Sequence, residues 1–284
     1  MPQPMNAIID FRLRPPLPGY LEAVMYTNPE RRDRFTRQLG LEPAPSASQR
    51  SMQACLAEMD AAGVSVGVLP ARHSDLHGST PNSAVEAIMQ QYPGRFVGLA
   101  ACDPTQRRTA IDEIERCIAA GMLGVNIEPG SYPVPMYPDD RRLYPIYAHC
   151  EDRGLPVVLM AGGNGGPDLS YSDPVYVDRV AADFPKLPIV VSHGGWPWVH
   201  QILHVAYRRQ NVYISPDMYL CNMAGMHDYL DAANGFMQDR FIYGSAYPLA
   251  PIEQYAHWFR GLPFKPEVLH KITYQNAAQL LGLT

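Results

Sequence analysis

The sequence predicts a distorted (β/α)8 TIM barrel, a single α/β domain that covers 1–284. Two observations support this prediction. Eight short apolar segments alternate with amphipathic helical segments, and the chain is long enough for the roughly 250 residues that such a barrel needs. Continuous Val, Ile and Leu runs indicate strands buried on both faces, as in parallel sheets. An open doubly wound sheet is the alternative, but no Gly-x-Gly-x-x-Gly follows the first strand to support a dinucleotide fold.

The first third of the chain contains two strands separated by a long excursion. The first strand is predicted over 6–13, and the PPLPG that follows closes it because consecutive prolines remove ladder donors. Residues 17–50 combine Pro and Arg with weak periodicity, so we expect a loop with a helical piece over the barrel mouth. The segment 51–63 has one apolar face and ends in glycine, as a capped helix does. The second strand follows at 64–70.

The rest of the chain repeats the same alternation of helix and strand. Each helical segment carries apolar residues at helical spacing and leads into an apolar run. The predicted helices cover 83–91, 107–120, 143–153, 175–184, 198–209 and 227–237, and the predicted strands cover 96–101, 123–127, 157–160, 189–192, 212–214 and 241–244.

Composition limits the kinds of molecule that the protein is expected to bind. The net charge is −5 and no run of Lys or Arg exceeds two residues, which argues against nucleic acid and anionic membranes as partners. No uninterrupted apolar stretch approaches 18 residues, and the N-terminus lacks a basic and apolar leader, so we expect a cytoplasmic protein. The five scattered cysteines suit reduced thiols. A small molecule is the expected partner, and the three tryptophans with the apolar helices could support a homodimer.

The stretch 188–198, PIVVSHGGWPW, organises the predicted site. It is a short buried strand that runs into His193 and two glycines, where the chain turns. In a parallel barrel the C-terminal ends of the strands form the active-site floor, so His193 is well placed for chemistry. The alternative is a histidine that only caps a loop by hydrogen bonding.

Six short motifs lie at strand ends or in the last helix and span nearly the whole chain. They are Ile9-Asp10, GLPVVL at 154–159, SHGG at 192–195, NVYIS at 211–215, FIYGSAYP at 241–248 and KITYQNAAQLLGL at 271–283. In this order they resemble the amidohydrolase-related family, the amidohydrolase 2 type of metal-dependent TIM-barrel hydrolases and decarboxylases. The resemblance implies a barrel with its site at the C-terminal mouth.

This chain departs from the family at the metal site. Members typically carry Asp-x-His-x-His on strand one, histidines at the ends of strands five and six, and an aspartate after strand eight. The corresponding residues here are Arg12, Arg14, Met160 and Ala246, and of the histidines only His193 remains. Guanidinium stays protonated and repels a dication, thioether is a poor ligand for zinc or manganese, and alanine is none. We therefore expect no catalytic metal and no other cofactor.

One alternative metal site is open. The segment HSDLH just after strand two contains His73, Asp75 and His77. Their spacing would allow these three side chains to bind a metal together with His193. Polar residues in a loop are more often solvated or hydrogen-bonded.

Arg12 and Arg14 suggest what replaces the metal. Alternating positions on a strand point to the same face, which in a barrel can be the interior. Arginine binds carboxylates bidentately, so the pair is predicted to hold a substrate carboxylate or stabilise an oxyanion. The alternative is that both arginines form salt bridges with Asp10, Glu128 or another acid of the barrel.

The candidates for acid–base catalysis are His193, Glu128 at the end of strand four and Asp217 just after strand seven. All three follow strand ends, so they can converge on one pocket. His193 is the preferred base because its ordinary pKa lies near neutrality. Further residues could supply hydrogen bonds or a stacking wall for the substrate, namely Asn126, Asn164, Tyr171, Trp196, Ser245 and Tyr247.

These residues lead to three functional hypotheses. The first is a hydrolase that acts without a metal on a small anionic substrate, such as a lactone or an activated ester of a carboxylic acid, with His193 as general base. The second is a lyase, either a nonoxidative decarboxylase or a hydratase, because the family that the chain resembles includes decarboxylases. The third is a ligand-binding barrel that has lost its chemistry.

Overall fold

Parallel strand pairing in the computed structural model, which describes residues 7–283, confirms the predicted barrel. Asn6, the first residue of the predicted first strand, lies outside this range. One sheet has the order β1 (Ile8–Asp10), β2 (Val64–Pro70) and β3 (Phe96–Leu99). The other has the order β4 (Val125–Ile127), β5 (Val157–Met160), β6 (Ile189–Ser192) and β7 (Val212–Ser215), and every pairing is parallel.

Isolated bridges join these two sheets into a ring. Ala100, directly after β3, bridges to Val125 of β4, and Ile214 of β7 bridges to Phe241. A parallel bridge between Leu13 and Tyr247 links the eighth position back to the first.

The eighth position is less regular than the sequence predicts, because no regular strand covers 241–244. The Tyr243 amide donates to the carbonyl of Ile272 at 3.0 Å, while the Tyr243 carbonyl accepts from the Phe11 amide at 3.1 Å. One donor is therefore used by the π-helical turn Lys271–Gln275 instead of a neighbouring strand, and the ladder is interrupted.

Helices surround the barrel at or near the predicted places. Capping explains several of their ends: the Ser51 side chain accepts from the Ala54 amide at the start of one helix, and Gly63 ends it with a φ of 74°. No helix within 7–283 has the length and apolarity to cross a bilayer. The helices are α1 (Val24–Thr27), α2 (Pro29–Gln38), α3 (Pro45–Gln49), α4 (Met52–Ala62), α5 (Asn82–Gln91), α6 (Arg107–Ala119), α7 (Tyr144–Arg153), α8 (Pro174–Asp183), α9 (Val199–Arg208), α10 (Met226–Asn234), α11 (Ile252–Arg260), α12 (Pro266–His270) and α13 (Asn276–Leu281).

The inserted segment 17–50, which lies between β1 and α4, contains the helices α1, α2 and α3. Its inner face is tied to loops at the C-terminal ends of the strands. The Thr36 hydroxyl donates to the carbonyl of Leu249 at 2.7 Å, and the Asn222 amide donates to the carbonyl of Leu39 at 2.7 Å. These contacts hold the excursion against the loops that follow β7 and the eighth strand position.

The core has two parts. The larger cluster lies between the strands and the surrounding helices. The smaller cluster joins Val68 of β2 with Val158 of β5 and Val190 of β6, which can meet only inside the ring. Ala277 and Leu281 of α13 pack on this second cluster and close the barrel. The inside of the barrel is therefore a packed core.

Candidate active site

One cavity lies at the C-terminal ends of the strands, where the sequence predicted the site. Its floor includes the apolar residues Met160, Met218 and Leu249. The inserted helices contribute Val24, Met25, Arg31, Arg32 and Phe35 to its walls. The polar lining residues from the barrel loops are Arg14, Arg72, His77, Asn164, His193 and Tyr219.

His193 and Asp217 form a buried pair at the ends of β6 and β7. The Nδ1 atom of His193 lies 2.7 Å from Oδ2 of Asp217, and the His193 amide donates to the same oxygen at 3.3 Å. Both residues have left-handed backbones, with φ of 62° for His193 and 48° for Asp217. Because Nδ1 faces the carboxylate, Nε2 is the nitrogen left for a ligand in the cavity.

Glycine makes this close approach possible. Gly194 has a φ of 60°, and a Cβ there would lie 2.8 Å from the Cα of Pro216. The Tyr229 hydroxyl donates to the Gly194 carbonyl at 2.9 Å and fixes the turn. The absence of a side chain at Gly194 therefore lets the residues after β6 and β7 approach each other, which brings His193 to Asp217.

Burial keeps His193 neutral. Removal from water lowers the pKa of His193, and the nearby Asp217 carboxylate opposes this change by favouring the protonated ring. The Arg12 guanidinium lowers the pKa further. A neutral imidazole held by a carboxylate through one nitrogen can accept a proton at the other, so the pair can act as a general base.

Glu128 forms a salt bridge with Arg12, which is the alternative that the sequence leaves open beside a catalytic role. Its carboxylate lies 2.9 Å from Nη2 of Arg12 and 2.9 Å from Nε of Arg72, and its side chain is buried. Burial alone would raise its pKa, but Arg72 and Arg12 hold the pKa of Glu128 well below its usual range. A carboxylate bound to two guanidinium groups is a poor base, so Glu128 neutralises and orients the arginines.

Arg14 is a buried cation without a carboxylate partner among residues 7–283. Its guanidinium donates to the backbone carbonyls of Ala246 and Tyr247. Burial, with the charges of Arg12 and Arg72, lowers the pKa of Arg14 to about 9. The group stays charged at neutral pH and lines the cavity, which makes it a strong site for an anionic group of a ligand.

The donor set does not fit a divalent metal. Nη2 of Arg12 lies 3.8 Å from the sulfur of Met160, so a guanidinium and a thioether lie side by side near the strand ends, and neither group is a suitable ligand for a divalent cation. The Asp10 carboxylate accepts hydrogen bonds from the amide and the hydroxyl of Ser245, and burial raises the pKa of Asp10 to about 6. Within the described residues, no group of three or more His, Cys, Asp or Glu side chains could hold a metal ion.

The alternative metal residues do not come together either. His77 lines the same cavity as His193, but His73 borders a separate groove and Asp75 is exposed. Burial and the charge of Arg72 lower the pKa of His77 to about 4, so it is neutral at pH 7.

Asn164 is the one of the six additional candidates that lines the cavity. Trp196 is not part of the cavity lining, but its indole stacks on Tyr219, which is, with ring centroids 5.2 Å apart. Tyr171 lies outside the cavity lining and stacks on Tyr137 at 4.6 Å.

The remaining candidates have structural contacts. The Asn126 amide donates to the Ala71 carbonyl at 2.9 Å and to Glu128 at 3.2 Å. The Ser245 hydroxyl donates to Asp10, and the hydroxyl of Tyr247 hydrogen-bonds to that of Ser46. These side chains support the residues that line the cavity.

Sequence reasoning missed Arg72, Tyr219 and the arginines of α2. Arg72 could have been found, because it lies two residues after the last residue of β2, just as Arg12 lies two residues after the end of β1. The contribution of α2 had no such signal, since its position over the cavity depends on long-range contacts.

Comparison with solved structures finds the same fold in other proteins. A TIM-barrel protein of uncharacterized function from Bordetella bronchiseptica is 50% identical, with a TM-score of 0.94 over 97% of this chain and 98% of that chain. A dihydroxybenzoic acid decarboxylase from Polaromonas, solved with manganese and the inhibitor 2-nitroresorcinol, has a TM-score of 0.72 with 19% identity over 98% of this chain and 97% of its own.

A curated relative matches a smaller part. The 2-keto-4-carboxy-3-hexenedioate hydratase of Sphingobium is 26% identical over 134 residues, which are 40% of this chain and 39% of that enzyme. The match thus spans about two fifths of the relative's length. The sequence model described as amidohydrolase matches residues 9–283. Because this match extends over nearly the whole sequence, the chain belongs to the amidohydrolase family.

Proposed function

We propose that this protein is a hydrolase that acts without a catalytic metal on a small anionic substrate, a lactone or an activated ester of a carboxylic acid. The observation that carries the proposal is the His193–Asp217 pair, 2.7 Å apart, in a cavity that Arg14 and Arg72 also line. A neutral base and buried cations in one cavity can activate water beside a bound carboxylate.

In the proposed reaction His193 removes a proton from water through Nε2. The hydroxide oxygen bonds to the carbonyl carbon of the lactone, and the carbonyl electron pair moves to oxygen. When the intermediate collapses, the ring C–O bond breaks and the alkoxide takes the proton back from His193. Water and lactone become one hydroxy acid, so atoms and charge balance.

Positive charge in the cavity supports this chemistry. Arg14 has no carboxylate partner among the described residues, and Arg72 shares Glu128 with Arg12. These guanidinium groups are suited to binding a substrate carboxylate and to stabilising the oxyanion. An activated C–O bond is the matching electrophile, because a general base alone is a weaker activator of water than a metal ion.

The second candidate is a hydratase, and the partial similarity to the Sphingobium hydratase favours it. The same base would deliver water to a carbon–carbon double bond conjugated to a carboxylate or ketone. A nonoxidative decarboxylase is distinguished by its product, since only that reaction releases carbon dioxide.

The test is a product assay with enzyme treated with a strong chelator. Carboxylated lactones, unsaturated carboxylates and aromatic acids are the substrates, and acid, hydrate and carbon dioxide are measured separately. We expect acid release from a lactone at an unchanged rate after chelation. Hydration of an unsaturated carboxylate would show that the protein is a hydratase, and carbon dioxide release would show that it is a decarboxylase. Activity that is lost on chelation and restored by added metal would overturn the proposal that the enzyme works without a metal.

Substitution of the base tests its role. His193→Gln is expected to lower kcat by about a hundredfold or more, because general-base catalysis contributes about 10²–10⁴-fold. The matched control is His200→Gln, since His200 also pairs with an aspartate, Asp228 at 2.9 Å, but on the surface. The control should leave kcat unchanged. Equal activity of both variants would refute the role of His193.

A further inference from the structure

The cavity has a second source of positive charge, on a different element from the first. Arg14 and Arg72 follow the ends of β1 and β2, whereas Arg31 and Arg32 belong to α2 of the inserted segment. Strand ends form the floor of the site, and the inserted helix forms part of its wall. An anionic ligand therefore meets guanidinium groups from two directions.

The two arginines of α2 differ in how far their charge is compensated. Arg32 is buried, its Nε donates to Asp33 at 2.7 Å and its Nη1 donates to the Ala47 carbonyl at 3.4 Å. These contacts give Arg32 a structural role. Arg31 has no carboxylate within 4.0 Å among residues 7–283, and its guanidinium lies 5.8 Å from the centre of the Phe35 ring, which lines the cavity.

Arg31 lies where the cavity meets the surface. It lines the cavity, and it also lines an open groove on the outer side of α2 together with Arg34 and Arg37. A half-buried guanidinium at such a rim can contact a ligand inside without paying the full cost of burying an unpaired charge.

Apolar side chains complete the wall and floor. Val24, Met25 and Phe35 come from the inserted segment, and Met160 and Met218 come from the barrel. A ligand that fills this space needs an apolar body with charged groups only where the guanidinium groups lie.

We propose that Arg31 binds a second anionic group of the substrate, so that the enzyme selects small dicarboxylates over monocarboxylates. One carboxylate is held by Arg14 and Arg72 at the strand ends, and the other is held by Arg31 at the rim. The proposal rests on the proposed function in that it takes this cavity as the substrate site.

Binding of unreactive probes tests the proposal independently of turnover. Isothermal titration calorimetry compares isophthalate with benzoate, and glutarate with butyrate, on the whole protein. Wild type is expected to bind at least one dicarboxylate about tenfold or more tighter than its monocarboxylate partner, because a charge-assisted hydrogen bond at a rim contributes about that factor. Arg31→Gln should abolish the difference, and Arg31→Lys should restore part of it.

The matched control is Arg37→Gln. It removes the same charge from the same helix, but Arg37 lines only the outer groove, so the preference should survive. If Arg31→Gln and Arg37→Gln lost the preference for dicarboxylates equally, the preference would come from the total positive charge of α2, and a binding site at Arg31 would be overturned. Wild type that binds neither dicarboxylate, or binds each pair equally, would overturn the proposal as well. Failure of the hydrolase assay with the binding preference intact would reject only the proposed reaction.

Discussion

Three residues at the site have strained backbone conformations, and each of them lines the cavity or contacts a residue that does. Among residues 7–283, His193, Asp217 and Ala246 are non-glycine residues in the left-handed region, and each follows a strand or the eighth strand position. Such conformations cost about 1–3 kcal/mol each and persist only where surrounding contacts fix them. Here the contacts are His193 with Asp217, and Arg14 with the Ala246 carbonyl. The strain is a consequence of turning three strand ends inward.

The pH dependence of activity follows from the lowered pKa of His193. Its ordinary value is 6.5 and burial lowers it, so the base is neutral at pH 7 and kcat/KM should rise with pH through a value below 6.5 and then level off. Since the Asp217 carboxylate raises this pKa, Asp217→Asn should move the acid limb to lower pH. The plateau should fall at least about tenfold, because the ring loses its orienting partner.

The control for this pH profile is Asp228→Asn, which removes the partner of the surface histidine His200 and should leave the acid limb in place. A limb that moves upward in Asp217→Asn would contradict the assignment. The stability of the fold should change with pH in the same direction as the activity. Unfolded His193 binds a proton near pH 6.5 that the folded state excludes, so the free energy of unfolding should decrease as pH falls below about 6.5.

At the scale of elements, one carboxylate connects three strand ends. Glu128 after β4 binds Arg12 after β1 and Arg72 after β2, and all three side chains are nearly inaccessible. Removing the acid would leave two buried guanidinium groups without their shared counter-charge. Glu128→Gln is therefore expected to lower the free energy of unfolding by about 3–5 kcal/mol, as measured by urea denaturation.

Glu115→Gln is the matched control for this experiment. Glu115 also contacts two cationic or titratable side chains, Arg153 at 2.9 Å and His149 at 2.8 Å, but it lies on the surface. Exposed pairs contribute about 0–1 kcal/mol, so this variant should stay within that range. If Glu128→Gln were as stable as the control, the network would not hold the strand ends together.

Elements and strand ends could be predicted from the sequence, but side-chain partners could not. The convergence of His193 and Asp217 follows from the rule that parallel strands end at one face. The same rule cannot tell which of several buried acids binds an arginine, so the sequence leaves Glu128 open between a catalytic role and a salt bridge with Arg12. The irregular eighth strand position also had no signal, because its donor to Ile272 depends on how the last helices pack.

At the scale of the whole molecule, charge is unevenly distributed. The chain has a net charge of −5, yet α2 holds four arginines in ten residues with only Glu30 and Asp33 to oppose them. This helix borders the cavity on one side and an open groove on the other. The arginines of α2 therefore attract an anion toward the cavity, against the negative net charge of the protein.

We therefore expect association of an anionic substrate to depend on salt. Exposed charges are screened over about 10 Å at 0.1 M ionic strength, so kcat/KM should fall several-fold between low and high salt while kcat stays constant. The double variant Arg34→Gln, Arg37→Gln should start lower and show a flatter salt dependence. The control Arg208→Gln removes a charge at the C-terminal end of α9, on the face opposite the strand ends, and should keep the wild-type slope. Equal slopes for all three proteins would mean that the arginines of α2 do not guide the substrate.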